Sequence, residues 1–177
     1  RRAELADERK LAPMPPVVFG GALIVPQGFL DTLQGIQGTA APAFAADTRT
    51  SELAAMRAVM AYESRLGFEP VDVSAAKCGY DVESRVPGTG KLRFIEVKGR
   101  AAGADTVIVT KNEILTALNK PEDFILAIAE VTDGMAANLR YVRQPFRKEP
   151  DFGVTCVMYS IAELLSAGIV ENIGQIT

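Results

Sequence analysis

Two acids and one lysine are the residues whose types and spacing could carry chemistry in this sequence. Asp81 lies in one predicted strand, and Glu96 and Lys98 lie in the next, after a turn at residues 87–90. Side chains alternate along a strand, so Glu96 and Lys98 share a face about 7 Å apart, and the hairpin brings Asp81 close to Glu96. Two neighbouring carboxylates can hold Mg²⁺, and a lysine beside them can orient a metal-activated water.

Glu96 interrupts a strand that is otherwise apolar on both faces. A strand of this composition usually lies in the centre of a sheet, where an unpaired carboxylate is strongly unfavourable. We therefore expect Glu96 to have a partner or a function. The alternative is that Asp81 and Glu96 form a surface ion-pair ladder with Arg85 or Arg93.

The sequence contains no histidine. This excludes Ser-His-Asp and Cys-His nucleophile pairs, because the proton acceptor is missing, and it excludes zinc sites of the HExxH and Cys2His2 types. Cys78 and Cys156 are too few for a four-thiolate zinc site. Chemistry in this chain therefore depends on carboxylates, lysine, arginine, hydroxyls or a metal held by oxygen.

A third acid lies on the predicted long helix, where a stripe of residues at helical spacing comprises Leu53, Met56, Met60 and Glu63. A carboxylate that continues an apolar stripe is unusual, because its burial without a partner is unfavourable. The alternative is that Glu63 lies at the edge of the stripe, near the helix end, and extends its carboxylate into solvent.

The predicted elements alternate between helices and strands. Predicted strands cover residues 68–73, 79–86, 91–98, 106–109, 124–131, 139–143 and 154–159, with Gly99 ending the third. A long helix is predicted from Asp47 to about Leu66, and Ser/Thr-x-x-Glu capping boxes at Thr110 and Ser160 begin two more. The order indicates an α/β fold in which a mixed sheet is flanked by helices.

Proline-rich and small-residue stretches divide the chain into three predicted parts. Residues 1–16 are the end of an upstream helical segment, residues 17–46 are a small strand-helix extension with a linker, and residues 47–177 are the main domain. The chain begins with Arg1, so we expect it to be a piece of a longer polypeptide. The apolar run at 17–25 is too short to cross a bilayer, which takes about 20 residues, and the few cysteines indicate a cytoplasmic protein.

Asp81, followed by Glu96-Val97-Lys98 on the next strand, resembles the PD-(D/E)xK nuclease superfamily. Several segments resemble a domain of unknown function, named after the C-terminus of the plant NO VEIN protein, that also ends many bacterial Swi/Snf-type helicases. These segments are GYDVES (79–84), RFIEVKGR (93–100), TKNEILTALN (110–119), ILAIAEV (125–131) and EPDFGVT (149–155), and PPVVFGGALIVPQGFL (15–30) resembles the stretch that joins the helicase part to it.

The resemblance implies a restriction-endonuclease-like fold and metal-dependent hydrolysis of DNA phosphodiesters. It implies that Asp81 and Glu96 bind Mg²⁺ or Mn²⁺, that Lys98 is the catalytic lysine, and that an acid on the first helix, here Glu63, assists. The helicase part of the same polypeptide would then supply DNA. The alternatives are an inactive module with the same fold that binds DNA or a protein partner, and a purely structural appendage of the helicase.

Candidate residues for contacting nucleic acid are Arg93, Arg100 and Lys111, the last at the start of a capped helix. The formal net charge is −3, with 19 basic and 22 acidic residues, which argues against a whole surface that binds polyanions. A local basic face is therefore the form that DNA contact would take, and the alternative is that these side chains are simply solvated.

Overall fold

The computed structural model describes residues 41–174, with side chains from Arg49 onward, so the predicted elements of residues 1–40 lie outside the described residues. The helices are α1 (Ala41–Arg65), α2 (Lys111–Asn119) and α3 (Ile161–Ala167), and a short 3₁₀ helix covers Ser74–Ala76. The strands are β1 (Glu69–Asp72), β2 (Val82–Arg85), β3 (Leu92–Ala101), β4 (Thr106–Thr110), β5 (Phe124–Thr132), β6 (Met135–Arg143), β7 (Cys156–Ser160) and β8 (Ile169–Gly174).

Six strands of the described range form one mixed sheet in the order β1-β2-β3-β5-β6-β8. The β3–β5 pair is parallel and every other neighbouring pair in this sheet is antiparallel. Strands β4 and β7 form a separate antiparallel pair. The order confirms that β3 is central, as its apolar composition predicts.

Two hydrophobic clusters lie on opposite faces of the large sheet. On one face, α1 packs its alanines and Val59 against Ile95 and Val97 of β3 and against Tyr141 of β6. On the other, α2, α3 and the β4–β7 pair pack around Phe94 of β3 and Leu126 of β5. The predicted α/β fold, a mixed sheet flanked by helices, is confirmed, and it is consistent with the restriction-endonuclease-like fold.

Several element ends differ from the prediction, among them the starts of β2, β6 and β7, and two of the differences have a clear physical reason. Strand β3 continues through Gly99 to Ala101, because its parallel register with β5 runs as far as the pairing of Ala101 with Val131. Helix α1 begins at Ala41 and not at Asp47, so residues 41–46 are helical and not linker. That segment is rich in alanine, which has the highest helix propensity, and its proline lies in the first turn, where it is tolerated.

The predicted apolar stripe of α1 is wrong only at Leu53, which is 53% exposed. Met56 and Met60 are partly buried against the cluster on this face of the sheet, and Glu63 is fully buried. The other buried residues of α1 are small, and they are Ser51, Ala54, Ala55, Ala58 and Val59. Small side chains face the sheet because the helix backbone approaches β3 closely: a Cβ on Gly99 would overlap the carbonyl of Ser51. The fully buried side of the helix is therefore mostly alanine, and its two methionines are only partly buried.

Strand β8 was not predicted, and the Ser160 capping box is not formed. Ser160 precedes α3 but makes no capping hydrogen bond with its side chain. Strand β8 pairs with β6 at the edge of the sheet and is mostly exposed, so it has little of the alternation that identifies a strand in a sequence.

Gly99→Ala should destabilise the fold, because the new methyl group meets the backbone of α1, which cannot rotate away. We expect the free energy of unfolding to fall by about 1–3 kcal/mol, the usual range for overpacking, as measured by urea denaturation. Gly153→Ala is the control, since a Cβ there meets nothing within 4 Å and its backbone is not left-handed. Equal stability of the two variants would contradict the close packing of α1 on β3.

Candidate active site

The β2–β3 hairpin brings Asp81 close to Glu96. Val82, the first residue of β2, pairs with Ile95 in the antiparallel ladder. Asp81 directly precedes β2, and its amide donates a hydrogen bond to the carbonyl of Ile95 at 2.9 Å, one residue out of the register of that ladder. On the other side of the acid, the amide of Val97 donates to Asp81 Oδ2 at 3.0 Å. The predicted convergence of the two acids across the hairpin is present in the structure.

Alternation along β3 puts Glu96 and Lys98 on the face of the sheet that is opposite α1. Lys98 Nζ lies 2.7 Å from Glu96 Oε1 and 2.8 Å from Glu113 Oε2, so the ammonium bridges a strand acid and a helix acid. Glu96 is 4% exposed. The alternative of a surface ladder with Arg85 or Arg93 is therefore wrong for Glu96.

Glu113 has two functions in this arrangement. It completes the predicted capping box of α2, in which the amide of Thr110 donates to Glu113 Oε2 at 3.0 Å. The same oxygen accepts the hydrogen bond from Lys98. The sequence interpretation identified the cap, but nothing local indicated that the capping carboxylate would also meet a lysine from another strand.

Burial and mutual repulsion perturb the acids of the site. Burial raises the pKa of Glu96 to about 8, with Lys98 opposing the shift and the charges of Asp81 and Glu113 adding to it. Burial also raises the pKa of Asp81, against the lowering effect of the Val97 amide. Burial disfavours the charged form of Lys98, but Glu96 and Glu113 outweigh it and raise the pKa of the ammonium. The site thus holds more carboxylate than its one lysine neutralises.

These groups line an open cleft of about 560 Å³. The N-terminal half of the described part of α1 forms one wall, and β4 and the residues after β1 form the others. The lining residues are Arg49, Glu52, Leu53, Met56, Asp72, Ser74, Asp81, Glu96, Val97, Lys98, Gly99, Arg100, Val107, Ile108 and Glu113. We call this space the β3 cleft.

Glu63 does not join this cleft. It is completely buried on the α1 face of the sheet, where its Oε1 accepts hydrogen bonds from Arg93 Nη2 and from the Tyr141 hydroxyl, each at 3.0 Å. Neither the assisting role implied by the resemblance nor the alternative of a solvated edge acid fits this position. The helix acid that does line the cleft is Glu52, which lies three turns earlier on α1.

Arg93 is also placed away from the cleft. As an odd-numbered residue of β3 it faces α1, and its guanidinium lies against the rings of Phe68 and Tyr141 while paired with Glu63. Arg93 is therefore paired with a fully buried carboxylate and does not line the cleft, and its contact with nucleic acid stays a prediction. Arg100, which lies on the same face of β3 as Glu96, does line the cleft.

Lys111 uses its charge within the fold. Its Nζ donates hydrogen bonds to the backbone carbonyls of Phe152 at 2.9 Å and Asp151 at 3.3 Å. Lys111 does not line the β3 cleft. Arg49, which the sequence interpretation did not single out, lines it from α1, and only the phase of that helix could have identified it.

The donor set of the cleft fits a divalent cation held by a pair of acids. Within the described residues, no group of three or more Cys, Asp or Glu side chains is arranged to hold a metal ion. Asp81, directly before β2, and Glu96 on β3 offer hard carboxylate oxygens, which is the ligand type and number that Mg²⁺ uses when water supplies the remaining positions. Mg²⁺ or Mn²⁺ therefore fits this site with two protein carboxylates.

The fold and this acid-acid-lysine cluster place the chain in a mixed α/β class with a candidate metal-dependent site. The family model described as Protein NO VEIN, C-terminal, matches residues 51–142, just over half of the chain, and the chain belongs to this family. Comparisons with curated proteins and with solved structures give no match. Within the part of the chain that the structure describes, no helix has the length and apolar character needed to cross a membrane.

Removal of the Glu63 carboxylate should destabilise the domain without any direct effect on the cleft. Glu63→Ala leaves Arg93 and the Tyr141 hydroxyl without their shared partner, so we expect a loss of about 3–5 kcal/mol in urea denaturation. Glu52→Ala is the matched control on the same helix, because Glu52 is exposed and should change stability by less than about 0.5 kcal/mol.

A double-mutant cycle identifies the source of that loss. Glu63→Ala combined with Arg93→Met should lose clearly less stability than the sum of the single variants, since neither charge is then left without its partner. Additive losses would show that the two side chains do not stabilise each other.

Proposed function

We propose that this domain hydrolyses DNA phosphodiester bonds with Mg²⁺ or Mn²⁺. The observation that carries the proposal is the convergence of Asp81, Glu96 and Lys98 in the lining of one cleft, with Lys98 Nζ 2.7 Å from Glu96 Oε1. Family membership alone does not carry it, since the family is defined by its domain and not by an activity. The absence of histidine is consistent with a mechanism that depends on carboxylates and lysine.

Asp81 and Glu96 would hold the metal, which when bound polarises a phosphate and lowers the pKa of a bound water. The Val97 amide, donating to Asp81 Oδ2, fixes that carboxylate in one orientation. Lys98 is close enough to the acids to donate a hydrogen bond to the attacking water or to stabilise charge on the phosphate oxygens. Glu113 orients the lysine and keeps it protonated.

The cleft carries cations as well as acids. Arg49 on α1 and Arg100 on β3 line it with Lys98, beside the five carboxylates of Glu52, Asp72, Asp81, Glu96 and Glu113. Lys98 is paired with Glu96 and Glu113, so Arg49 and Arg100 are the candidates for phosphate contacts, and a bound divalent cation would offset part of the acidic charge. Glu52 takes the place on the first helix that the resemblance gives to an assisting acid.

The wider context of this proposal is that of a Swi/Snf-type helicase acting on DNA in the cytoplasm of a bacterium. The resemblance to the C-terminal domains of such helicases supports it. The motor part of the polypeptide would move DNA to the β3 cleft, and the domain described here would cut it.

Metal-dependent nicking tests the catalytic proposal. We expect the chain to nick supercoiled or single-stranded DNA with Mn²⁺ or Mg²⁺ but not with EDTA, and Lys98→Met to lower the rate about 100-fold or more. Glu96→Gln should remove the activity. Glu130→Gln is the matched control, because Glu130 lies on the neighbouring strand β5 and pairs with Arg140 outside the cleft.

The outcome that rejects hydrolysis is also defined. If the chain nicks DNA no faster than its Glu96→Gln variant, the domain is not a nuclease. Salt-dependent retention of DNA without cleavage would then support the alternative, an inactive nuclease-like module that binds DNA for the helicase. Failure to retain DNA would favour a protein partner or a structural role.

Metal binding can be measured apart from cleavage. Added Mg²⁺ or Mn²⁺ should raise Tm, because a ligand that binds only the folded state stabilises that state. At a metal concentration of 100 Kd, the free energy of unfolding should rise by about 2.7 kcal/mol. Asp81→Asn and Glu96→Gln should abolish the rise, and Glu130→Gln should retain it. An equal rise in all four proteins would place the bound metal elsewhere.

A further inference from the structure

We propose that one ordered water molecule binds inside the domain, on the α1 face of the sheet, where it joins Glu63, Ser84 and Arg93. This site is separate from the β3 cleft, and the proposal does not depend on the proposed function. It is carried by three buried polar atoms of neighbouring side chains that have no hydrogen-bond partner among the described residues.

The unpaired polar atoms of the described interior are concentrated in one place. Four buried side-chain atoms of the described range have no hydrogen-bond partner, and three of them are Glu63 Oε2, Ser84 Oγ and Arg93 Nε. The fourth is Nε of Arg100, which lines the β3 cleft. Buried polar atoms are nearly always paired, because an unpaired one is strongly unfavourable. Three such atoms on adjacent residues therefore indicate a bound molecule that pairs with them.

The sheet register sets the three side chains next to one another. Ser84 of β2 lies directly opposite Arg93 of β3 in the antiparallel ladder, a pairing that places two Cβ atoms about 4.5–5.5 Å apart. Ser84 faces α1, since Val82, two residues earlier on the same strand, packs in the cluster of that face. Arg93 Nη2 donates to Glu63 Oε1 at 3.0 Å. Glu63 and Ser84 are both completely buried, so the ligand lies in the interior.

The chemistry of the three atoms matches a small neutral molecule that both donates and accepts hydrogen bonds. The Nε–H of Arg93 only donates, a carboxylate oxygen only accepts, and the Ser84 hydroxyl does both. The guanidinium would repel a cation, and the carboxylate of Glu63 would repel an anion. A water molecule accepts from Arg93, donates to Glu63 Oε2 and makes a third hydrogen bond with Ser84, which is the usual number for a buried water.

The bound water completes a polar network across four elements. Glu63 Oε1 already accepts hydrogen bonds from Arg93 of β3 and from the Tyr141 hydroxyl of β6. The water adds Ser84 of β2, so the C-terminal half of α1 is attached to three strands of the sheet. A network in which every buried polar atom has a partner holds its side chains more rigidly than one that is partly satisfied.

Water ¹⁷O magnetic relaxation dispersion of the full chain tests the site directly, because it counts the water molecules that remain buried longer than the protein takes to tumble. We expect Ser84→Val to hold one such water fewer than the unchanged chain, since the valine methyl groups fill the site and cannot bond to the water. Thr132→Val is the matched control. It also replaces a strand hydroxyl by a methyl group, but on an exposed residue of β5, and it should leave the count unchanged.

Ser84→Ala is a milder variant that tests the same site by stability. It removes one partner of the water, so we expect the equilibrium constant of unfolding, from urea denaturation, to rise about fivefold. The alternative is that Arg93 Nε bonds directly to Glu63 Oε2 in solution, which leaves the Ser84 hydroxyl buried without a partner. Loss of that hydroxyl would then leave the equilibrium constant unchanged or lower it.

Two results would overturn the proposal. One is an equal count of long-lived water molecules in Ser84→Val and in the unchanged chain. The other is a Ser84→Ala variant that is as stable as the unchanged chain or more stable. Neither measurement involves metal, DNA or cleavage, so both are independent of the outcome of the nicking experiment.

Discussion

Charged side chains on both buried faces of a central strand are the constraint on which this structure depends. Strand β3 carries Arg93 toward α1 and carries Glu96 and Lys98 toward the opposite layer. A buried charge without a partner is strongly unfavourable, so each face must supply a counter-charge from another element. Glu63 of α1 and Glu113 of α2 supply them.

The two ion-pair clusters differ in whether their carboxylates remain accessible to a ligand. On the α1 face, Glu63 is completely buried and holds Arg93 and the Tyr141 hydroxyl, which fixes the C-terminal half of the helix to two strands. On the other face, Lys98 is shared between two acids while Asp81 stands beside them at an open cleft. The first arrangement is closed and stabilises the fold, and the second has carboxylate in excess of its cation.

Sequence patterns predicted the hairpin and its acids because those relations are local. Alternation in β3 and a short turn suffice to bring Asp81 to Glu96, and the capping box at Thr110 is a matter of three residues. The neighbours of α1 could not be predicted in the same way. Its phase against the sheet depends on the close approach at Gly99, a contact between residues far apart in the chain.

The helical stripe does not identify what each of its members contacts. It predicts Leu53, Met56, Met60 and Glu63 on one side of the helix, and of these only Leu53 is exposed. The same pattern indicates no partner for Glu63 and gives no signal for Glu52 in the cleft. Arg93 was expected in a basic face because its partner, Glu63, lies on another element 30 residues away in the chain. Helix hydropathy could not have corrected this, since the buried side of α1 consists mainly of alanine, whose pattern is weak.

The buried acids of the cleft are energetically unfavourable for the isolated fold. Replacing a buried ion pair or triad by apolar residues of similar size is often neutral or stabilising, so a structural appendage gains little from Glu96, Lys98 and Glu113 in a sheet interior. Burial raises the pKa of Glu96 to about 8, against the opposing effect of Lys98. A bound cation would supply the compensation that the lysine alone does not. The acids that destabilise the isolated domain are therefore the groups that would bind a divalent cation.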